Sequence, residues 1–341
     1  MRILAYTHAY PGPMRHQAGG ETSLHDALRY LASQGHECVV LVGEPTPCPS
    51  YSIDGIDVRT VQTDREAKAA PMELFPWADV IVTQLKMSYR GTLVAQMYGK
   101  PVIHYAHNDH KGTRKPLGMS HLGLYNTHWV RQSCMDNGTW TPGIVLHPVV
   151  EPSRYEVKKT RASKYVTLIN LSMGEDGLYD KGWQTFFELA RRNPDIPFLG
   201  VEGAYGTQAY EELPNVTYMP HQTDIREVYR KTKVLLVPSK YESFGRVAVE
   251  AAASGIPSIC TPTEGLKEAM GDSAFFAEYG DYDSWNTCLH GALKGSWAPL
   301  PKERSEFLWE QSQSELEELG FIFEILASGG IREVYEYLDA R

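Results

Sequence analysis

Short continuous apolar runs alternate with segments of helical period along the whole chain. Arg2–Tyr6 reads as a strand, followed by a Gly/Pro-rich loop through Gly20 and an amphipathic helix over Glu21–Gln34, with Leu24, Ala27, Leu28 and Leu31 on one face. Gly35 stands where helices commonly stop. Further apolar runs at Cys38–Val42, Val80–Val82, Val102–Tyr105, Leu122–Asn126 and Gly143–Leu146 read as strands. His147–Lys164 breaks the pattern with prolines, clustered charges and no periodicity, as a linker does. Alternation restarts with strand Tyr165–Leu171, helix Gly182–Arg192, strand Phe198–Val201, helix Asp224–Lys231, strand Val234–Val237, helix Val247–Ser254 and strand Pro257–Cys260. Amphipathic helices at Glu306–Leu319, Phe321–Leu326 and Ile331–Leu338 close the chain. Apolar strands separated by helices predict parallel sheets covered on both faces. The fold class is therefore α/β, with two Rossmann-like doubly wound domains.

Composition agrees with that picture and narrows the function. A chain of 341 residues, 42% hydrophobic and 22% charged, suits two domains with full cores. Net charge is −9, unevenly spread: residues 1–155 are near neutral, and the remainder carries 19 basic against 29 acidic residues. A global basic field for nucleic acid is absent. The five cysteines, Cys38, Cys48, Cys134, Cys260 and Cys288, are widely separated and read as reduced thiols. No apolar run approaches the roughly 18 residues of a membrane span, and the amino terminus reads as a strand and not as a signal peptide. A cytoplasmic protein is expected.

Two loops carry candidate chemistry. In the first, Gly19 and Gly20 precede a helix, so the backbone can approach a ligand and the helix start favours negative charge; a plain structural turn is the alternative. The pattern is neither Gly-x-Gly-x-x-Gly nor a P-loop, which disfavours a dinucleotide oxidoreductase and excludes a P-loop nucleotidase. In the second, Pro238–Ala251 follows a strand. Glu242 falls on the loop at the carboxyl edge of the sheet and Glu250 in the following helix. Ionised carboxylates accept hydrogen bonds from hydroxyls, so the two can hold two polyhydroxyl ends of one ligand. The amides of Ser243, Phe244, Gly245 and Arg246 at the helix start suit a phosphate. The plainer alternative makes Glu242 a capping carboxylate and Glu250 an exposed helix residue.

The two glutamates resemble the Glu-x7-Glu signature of glycosyltransferase family four, retaining enzymes of the GT-B fold. Gly19-Gly20-Glu21, Ser33–Val40, Leu122–Arg131, Val145–Val150, Asp180-Lys181-Gly182, Gly255–Ile259 and Glu264–Glu268 are similar to further blocks of that family in the same order. The resemblance implies two Rossmann-like domains facing a central cleft. An acceptor-side domain would span 1–150 and a nucleotide-sugar domain 151–318, with helices at 319–341 crossing back to the first. It implies that Glu242 holds donor-sugar hydroxyls, Glu250 the ribose, and Lys181 the diphosphate. Gly19 and Gly20 would lie near the phosphates, His107 near the sugar, and His221 and Thr223 beside the base. Relatives often carry an Arg shortly before the Lys-Gly motif. Here Leu168–Ser172 holds no basic residue, so Asn170 or Ser172 would donate a neutral hydrogen bond and Arg246 would supply charge.

No cofactor is expected beyond the nucleotide-diphosphate sugar itself, UDP- or GDP-linked, and no metal. Asp281-Tyr282-Asp283, the one close match to an Asp-x-Asp motif, reads as a helix start. His104, His107, Asp109 and His110 do not read as a ligand set, since His104 and His107 would point to opposite faces of a strand. Lys111, Arg114 and Lys115 form a basic cluster on the acceptor side, read as a solvated loop or as a contact for a phosphate-bearing acceptor. A glycan or lipid-linked carrier is favoured as acceptor, and modified DNA stays open. Two other classes remain: another GT-B enzyme such as a nucleotide-sugar epimerase or a phosphorylase, and a nucleotide-sugar-binding protein without turnover.

Overall fold

A computed structural model describes residues 1–13, 18–174, 180–204, 206–295 and 300–340. Residues 14–17 of the Gly/Pro-rich loop lie outside the described residues. The chain divides into two compact units, Met1–Pro148 with Ser312–Arg341, and Val149–Gln311.

The first unit is built on β1 (Arg2–Thr7), β2 (Glu37–Pro45), β3 (Tyr51–Ile53), β4 (Ile56–Val61), β5 (Val80–Gln84), β6 (Val102–Ala106), β7 (Leu122–Tyr125) and β8 (Gly143–Val145). Their order across the sheet is β3-β4-β2-β1-β5-β6-β7-β8. Among the described residues of this unit only the β3–β4 pair is antiparallel. It turns through Asp54 (φ 50°) and Gly55 (φ 78°), the two left-handed residues of a type I′ hairpin. Residues in β5 and β6 are buried without interruption because both faces of the sheet are covered.

Five helices make the crossovers: α1 (Gly19–Ser33), α2 (Asp64–Trp77), α3 (Ser88–Met97), α4 (Lys111–Leu117) and α5 (His128–Asp136). Gly35 (φ 85°) ends α1, with the His36 amide donating back to the Leu31 carbonyl. Helix α2 contains Pro71 and Pro76, and the packing of Phe75 outweighs that handicap. Its ring is fully buried and sits edge-on to Tyr6, 5.5 Å between centroids. Truncating such a side chain costs about 3–5 kcal/mol.

The second unit has β9 (Tyr165–Ile169), β10 (Phe198–Val201), β11 (Val216–Met219), β12 (Thr232–Val237), β13 (Ser258–Cys260) and β14 (Phe275–Phe276), all parallel, in the order β11-β10-β9-β12-β13-β14. Its helices are α6 (Pro152–Tyr155), α7 (Trp183–Arg192), α8 (Arg226–Tyr229), α9 (Arg246–Ala252), α10 (Glu264–Met270) and α11 (Tyr282–Lys294). The expected linker contains α6, and its Val150 and Val157 join the core of this unit. Helix α8 is half the length expected, because Asp224 binds the Arg226 amide and guanidinium ahead of the first turn.

The closing segments form one 28-residue helix, α12 (Pro301–Ser328), followed by α13 (Ile331–Asp339). The expected break at Gly320 does not occur. Leu316, Leu319, Ile322, Phe323 and Leu326 keep one buried seam through it, and a Cβ at Gly320 would stand 3.1 Å from the Tyr30 ring. The boundary between units falls inside this helix, at Gln311/Ser312, and not at 318/319.

Candidate functional site

In both sheets the chain reverses its winding direction beside the first strand, between β1 and β5 and between β9 and β12. Loops leaving two such strands diverge to opposite faces and leave a crevice at their carboxyl ends, where α/β sheets hold ligands. The second-unit residues singled out from sequence converge there. Lys181 lies beyond β9 and Glu242 beyond β12. The Lys181 ammonium donates to Glu242 Oε1 at 2.5 Å across 61 residues of sequence. The Ser239 hydroxyl donates to the same oxygen at 3.0 Å. Glu242 is therefore no helix cap.

Hydrogen bonds fix the backbone on either side of Lys181. Asp180 is buried, accepts the Gly182 amide at 2.7 Å and accepts the Tyr279 hydroxyl at 2.8 Å. Burial raises the Tyr279 phenol to about 12, helped by the Asp180 contact. Gly182 (φ 78°) caps α7, and a Cβ there would lie 2.1 Å from the Pro238 carbonyl oxygen. Only glycine lets the two loops approach this closely.

Glu250 is buried, so it is not the exposed helix residue of the plainer alternative. Its carboxylate accepts from the fully buried Tyr229 hydroxyl at 2.8 Å and from Arg246 Nε at 2.8 Å. Burial, then the Glu250 charge, pushes the Tyr229 phenol well above its ordinary range, so it stays a donor. Arg246 also reaches the Tyr155 hydroxyl at 3.0 Å. The sequence reading turns Arg246 toward a diphosphate; in the structure its Nε and one terminal nitrogen lie on Glu250 and Tyr155. The reason is helical: four positions apart on α9, the two side chains are neighbours.

The intervening residues line up differently. Phe244 is buried and packs in the core, while Ser243 is half-buried. Gly245 (φ 85°) caps α9, and a Cβ there would strike Leu266 at 2.3 Å. Asn170 takes a left-handed φ of 78°, and its Oδ1 accepts the Ser172 amide at 3.0 Å. His221 and Thr223 are exposed on the loop after β11, two strands from Lys181. Asp281 caps α11 by accepting the Ser284 amide, as expected for a helix start.

The first-unit residues gather at the carboxyl edge of their own sheet. Gly20 lies against His107, with a built Cβ 3.3 Å from the ring. His107 is buried directly after β6 and contacts Gln84 Oε1 through Nε2 at 2.7 Å. Gln84 in turn donates to Thr7 Oγ1 at 3.2 Å. Burial lowers the His107 imidazole to about 3. It is neutral at working pH and serves as a hydrogen-bonding group, not as a cation. His104 is separately buried, 3.2 Å from Thr83 Oγ1 through Nδ1. Glu21, third residue of α1, is buried with its carboxyl pKa raised by burial, and faces His8 Nε2 at 3.4 Å. The positive helix end at Gly19 and Gly20 thus meets an acid of its own before any phosphate. Lys111, Arg114 and Lys115 belong to α4 and not to a loop.

Sequence reading missed Tyr229, Tyr155, Ser239, Asp180, Tyr279 and Gly265. A Cβ at Gly265 would lie 2.3 Å from the Ser243 carbonyl carbon, so this glycine lets α10 back onto the Glu242 loop. The bare phenols carry no sequence pattern, while Asp180, Ser239 and Gly265 stand inside blocks already read from sequence but carry no role there of their own.

Comparison with known proteins adds fold and local family likeness. Residues 189–294 match the family described as Glycosyl transferases group 1. D-inositol 3-phosphate glycosyltransferase of Rhodococcus jostii (strain RHA1) is 34% identical over 111 residues, covering 30% of this chain and 25% of that protein. O-antigen chain mannosyltransferase B of Escherichia coli is 28% identical over 104 residues, 29% of this chain and 27% of its own. These matches span about a quarter of the relatives' length. Whole-chain likeness comes from solved structures. Anabaena HepE in complex with UDP-glucose aligns with a TM-score of 0.74 at 14% identity, over 100% of both chains. Sucrose-phosphate synthase from Thermosynechococcus elongatus gives 0.75 at 13% identity, over 96% of this chain and 100% of that one. The fold is the two-domain Rossmann-like architecture of GT-B proteins.

Proposed function

We propose that this chain is a glycosyltransferase that moves a hexose-type sugar from a nucleotide-diphosphate sugar to an acceptor hydroxyl, with retention of configuration and without a metal. The observation that carries the reading is the meeting of Lys181 and Glu242 at the winding reversal of the second sheet, with Glu250 buried on the helix that follows. Family likeness over residues 189–294 spans Glu242 and Glu250, and HepE, alike in fold, is in complex with UDP-glucose.

In the reaction the anomeric carbon–oxygen bond breaks and its electron pair leaves with the diphosphate. The acceptor oxygen bonds to the same face of the anomeric carbon, and its proton passes to the departing phosphate oxygen. The developing charge needs a cation placed in advance. Lys181 supplies it: donor binding exchanges the Lys181–Glu242 contact for an ammonium–phosphate contact and a contact from Glu242 to sugar hydroxyls. Glu250 takes the ribose hydroxyls with a carboxylate that Tyr229 and Arg246 orient. Neutral His107 donates or accepts a hydrogen bond to the sugar and moves no proton. The acceptor is a glycan or lipid-linked carrier, and the protein works in the cytoplasm.

The test is release of free nucleotide from UDP-, GDP-, ADP-, TDP- and CDP-sugars in EDTA, with nuclear magnetic resonance of the released sugar. Slow hydrolysis of one donor, lost in Glu242→Gln, with the α or β form preserved, supports the proposal. Conversion of the donor to another nucleotide sugar would make the chain an epimerase. Binding without turnover under any acceptor would leave a binding protein.

A further inference from the structure

Helix α3 is amphipathic in the inverted sense. Its buried face is Ser88, Gly91, Thr92 and Ala95, small residues with little apolar area. Its large apolar residues, Tyr89, Leu93 and Met97, recur every fourth position and face outward; Met97 is 73% exposed. A surface helix normally turns such residues to the core. Leaving them in water is unfavourable by about 25 cal/mol per Å². The stripe continues onto the neighbouring helices. Tyr98, after α3, donates to Met72 of α2, itself 53% exposed. The Lys115 ammonium of α4 lies 4.2 Å over the Tyr89 ring. Beyond α4, Arg114 donates to the Asn137 carbonyl, next to exposed Met135 and Trp140.

Charge on the same face is one-sided. From Leu85 to Trp140 the chain has seven Lys and Arg and two acids, Asp109 and Asp136, although the whole chain is −9. Asp109 accepts from the Ser133 hydroxyl at 2.5 Å. Lys86 is paired with Glu44, and Glu73 adjoins Met72 at the edge of the patch. Helices α3 and α4 themselves carry no acid. Among the described residues no helix is long and apolar enough to cross a membrane.

We propose that the α3–α4 face docks the protein flat onto an anionic lipid surface. Leu93, Met97 and Met72 enter the acyl boundary, Tyr89 sits at headgroup level, and Lys111, Arg114 and Lys115 meet lipid phosphates. Charge complementarity selects this occupant. A net-negative protein meets an anionic bilayer most favourably through a basic face, which also fixes orientation. Flexible Met and Leu side chains suit acyl chains, which bury them without the cost of unstacking bases. The proposal stands apart from the catalytic reading, and its assay needs no turnover.

The experiment is co-sedimentation of the full chain with vesicles of phosphatidylcholine alone or of equal parts phosphatidylcholine and phosphatidylglycerol. Binding is expected only to the anionic vesicles and should fall as salt rises. Lys111→Glu with Lys115→Glu should lower partitioning by about a hundredfold. Leu93→Ser with Met97→Ser, which changes no charge, should lower it by about tenfold; these side chains are exposed, so circular dichroism should be unchanged. Absence of anionic-vesicle binding by the wild type at low salt overturns the proposal, as does binding that survives both double variants. Binding of labelled duplex DNA in place of vesicles, lost in the charge variant, assigns the face to nucleic acid and overturns it too. So does a dimer in sedimentation velocity that Leu93→Ser with Met97→Ser dissolves while vesicle binding is absent.

Discussion

Tyr229→Phe tests whether Glu250 binds the nucleotide through a carboxylate that its neighbours hold in place. The substitution removes one oxygen and leaves the ring in the core cluster that it fills with Leu235, Val237 and Ala248. What is lost is the 2.8 Å hydrogen bond from a fully buried phenol to a buried carboxylate. Hydrogen bonds to charged groups contribute about 1.5–3 kcal/mol. The lower end applies here, since Arg246 Nε still holds the other oxygen at 2.8 Å. Part of that loss appears as stability and part as nucleotide affinity, because the freed carboxylate must be ordered by the ligand. About 1.4 kcal/mol in binding is tenfold in Kd, so half of about 1.5 kcal/mol is roughly threefold. Calorimetric titration of the nucleotide identified by the donor panel should therefore show about threefold weaker binding to Tyr229→Phe. Glu250→Gln should be weaker still, and the double variant no worse than Glu250→Gln alone. Additive losses in the double variant would mean that Tyr229 acts elsewhere. Wild-type affinity in Tyr229→Phe beside a crippled Glu250→Gln would refute the positioning argument outright.

Three other outcomes follow from the geometry. Lys181→Met should slow donor hydrolysis by at least about a hundredfold while nucleoside monophosphate affinity changes little, because the lost charge acts on the leaving diphosphate; equal losses for mono- and diphosphates would remove that role. Gly182→Ala forces a Cβ to 2.1 Å from the Pro238 carbonyl oxygen at φ 78°. It should cost several kcal/mol in urea unfolding, on the scale of about 1–3 kcal/mol for backbone strain plus overpacking, and wild-type stability would show that the loops can separate freely. The His104 imidazole is lowered by burial to about 3, below the ordinary ~6.5 of the unfolded chain. Between those values the unfolded state binds the extra proton, so stability rises with pH through the window and falls on acidification. Near pH 5 this costs the wild type about 2 kcal/mol relative to pH 7.5. Urea midpoints of His104→Phe should lack that share of the acid loss, and parallel pH profiles would contradict the cause.

Both sheets were legible in the chain because parallel strands buried on two faces are continuous apolar runs, as β1, β5, β6, β10 and β12 are. Elements that obey no such rule went unread. Strands β3 and β4 are short and half-exposed, and their Asp54-Gly55 turn was the one signal available. Helix α2 was masked by Pro71 and Pro76, and α3 by turning its large apolar residues outward. Glycine's low helix propensity favours a break at Gly320, and a continuous buried seam overrides it.

By itself the sequence determined the two doubly wound domains and the loop after each first strand, since local period records them, and it singled out Lys181, Glu242 and Glu250 through their likeness to a family's motifs. Tertiary structure alone decided which of these touch. Strand order brings Lys181 to Glu242 across 61 positions. Burial turns Glu250 from a surface acid into the partner of Tyr229 and Arg246, and lowers His107 out of the cationic range. Hydrogen-bond partners and desolvation depend on distances between residues far apart in the chain, and no local pattern encodes them.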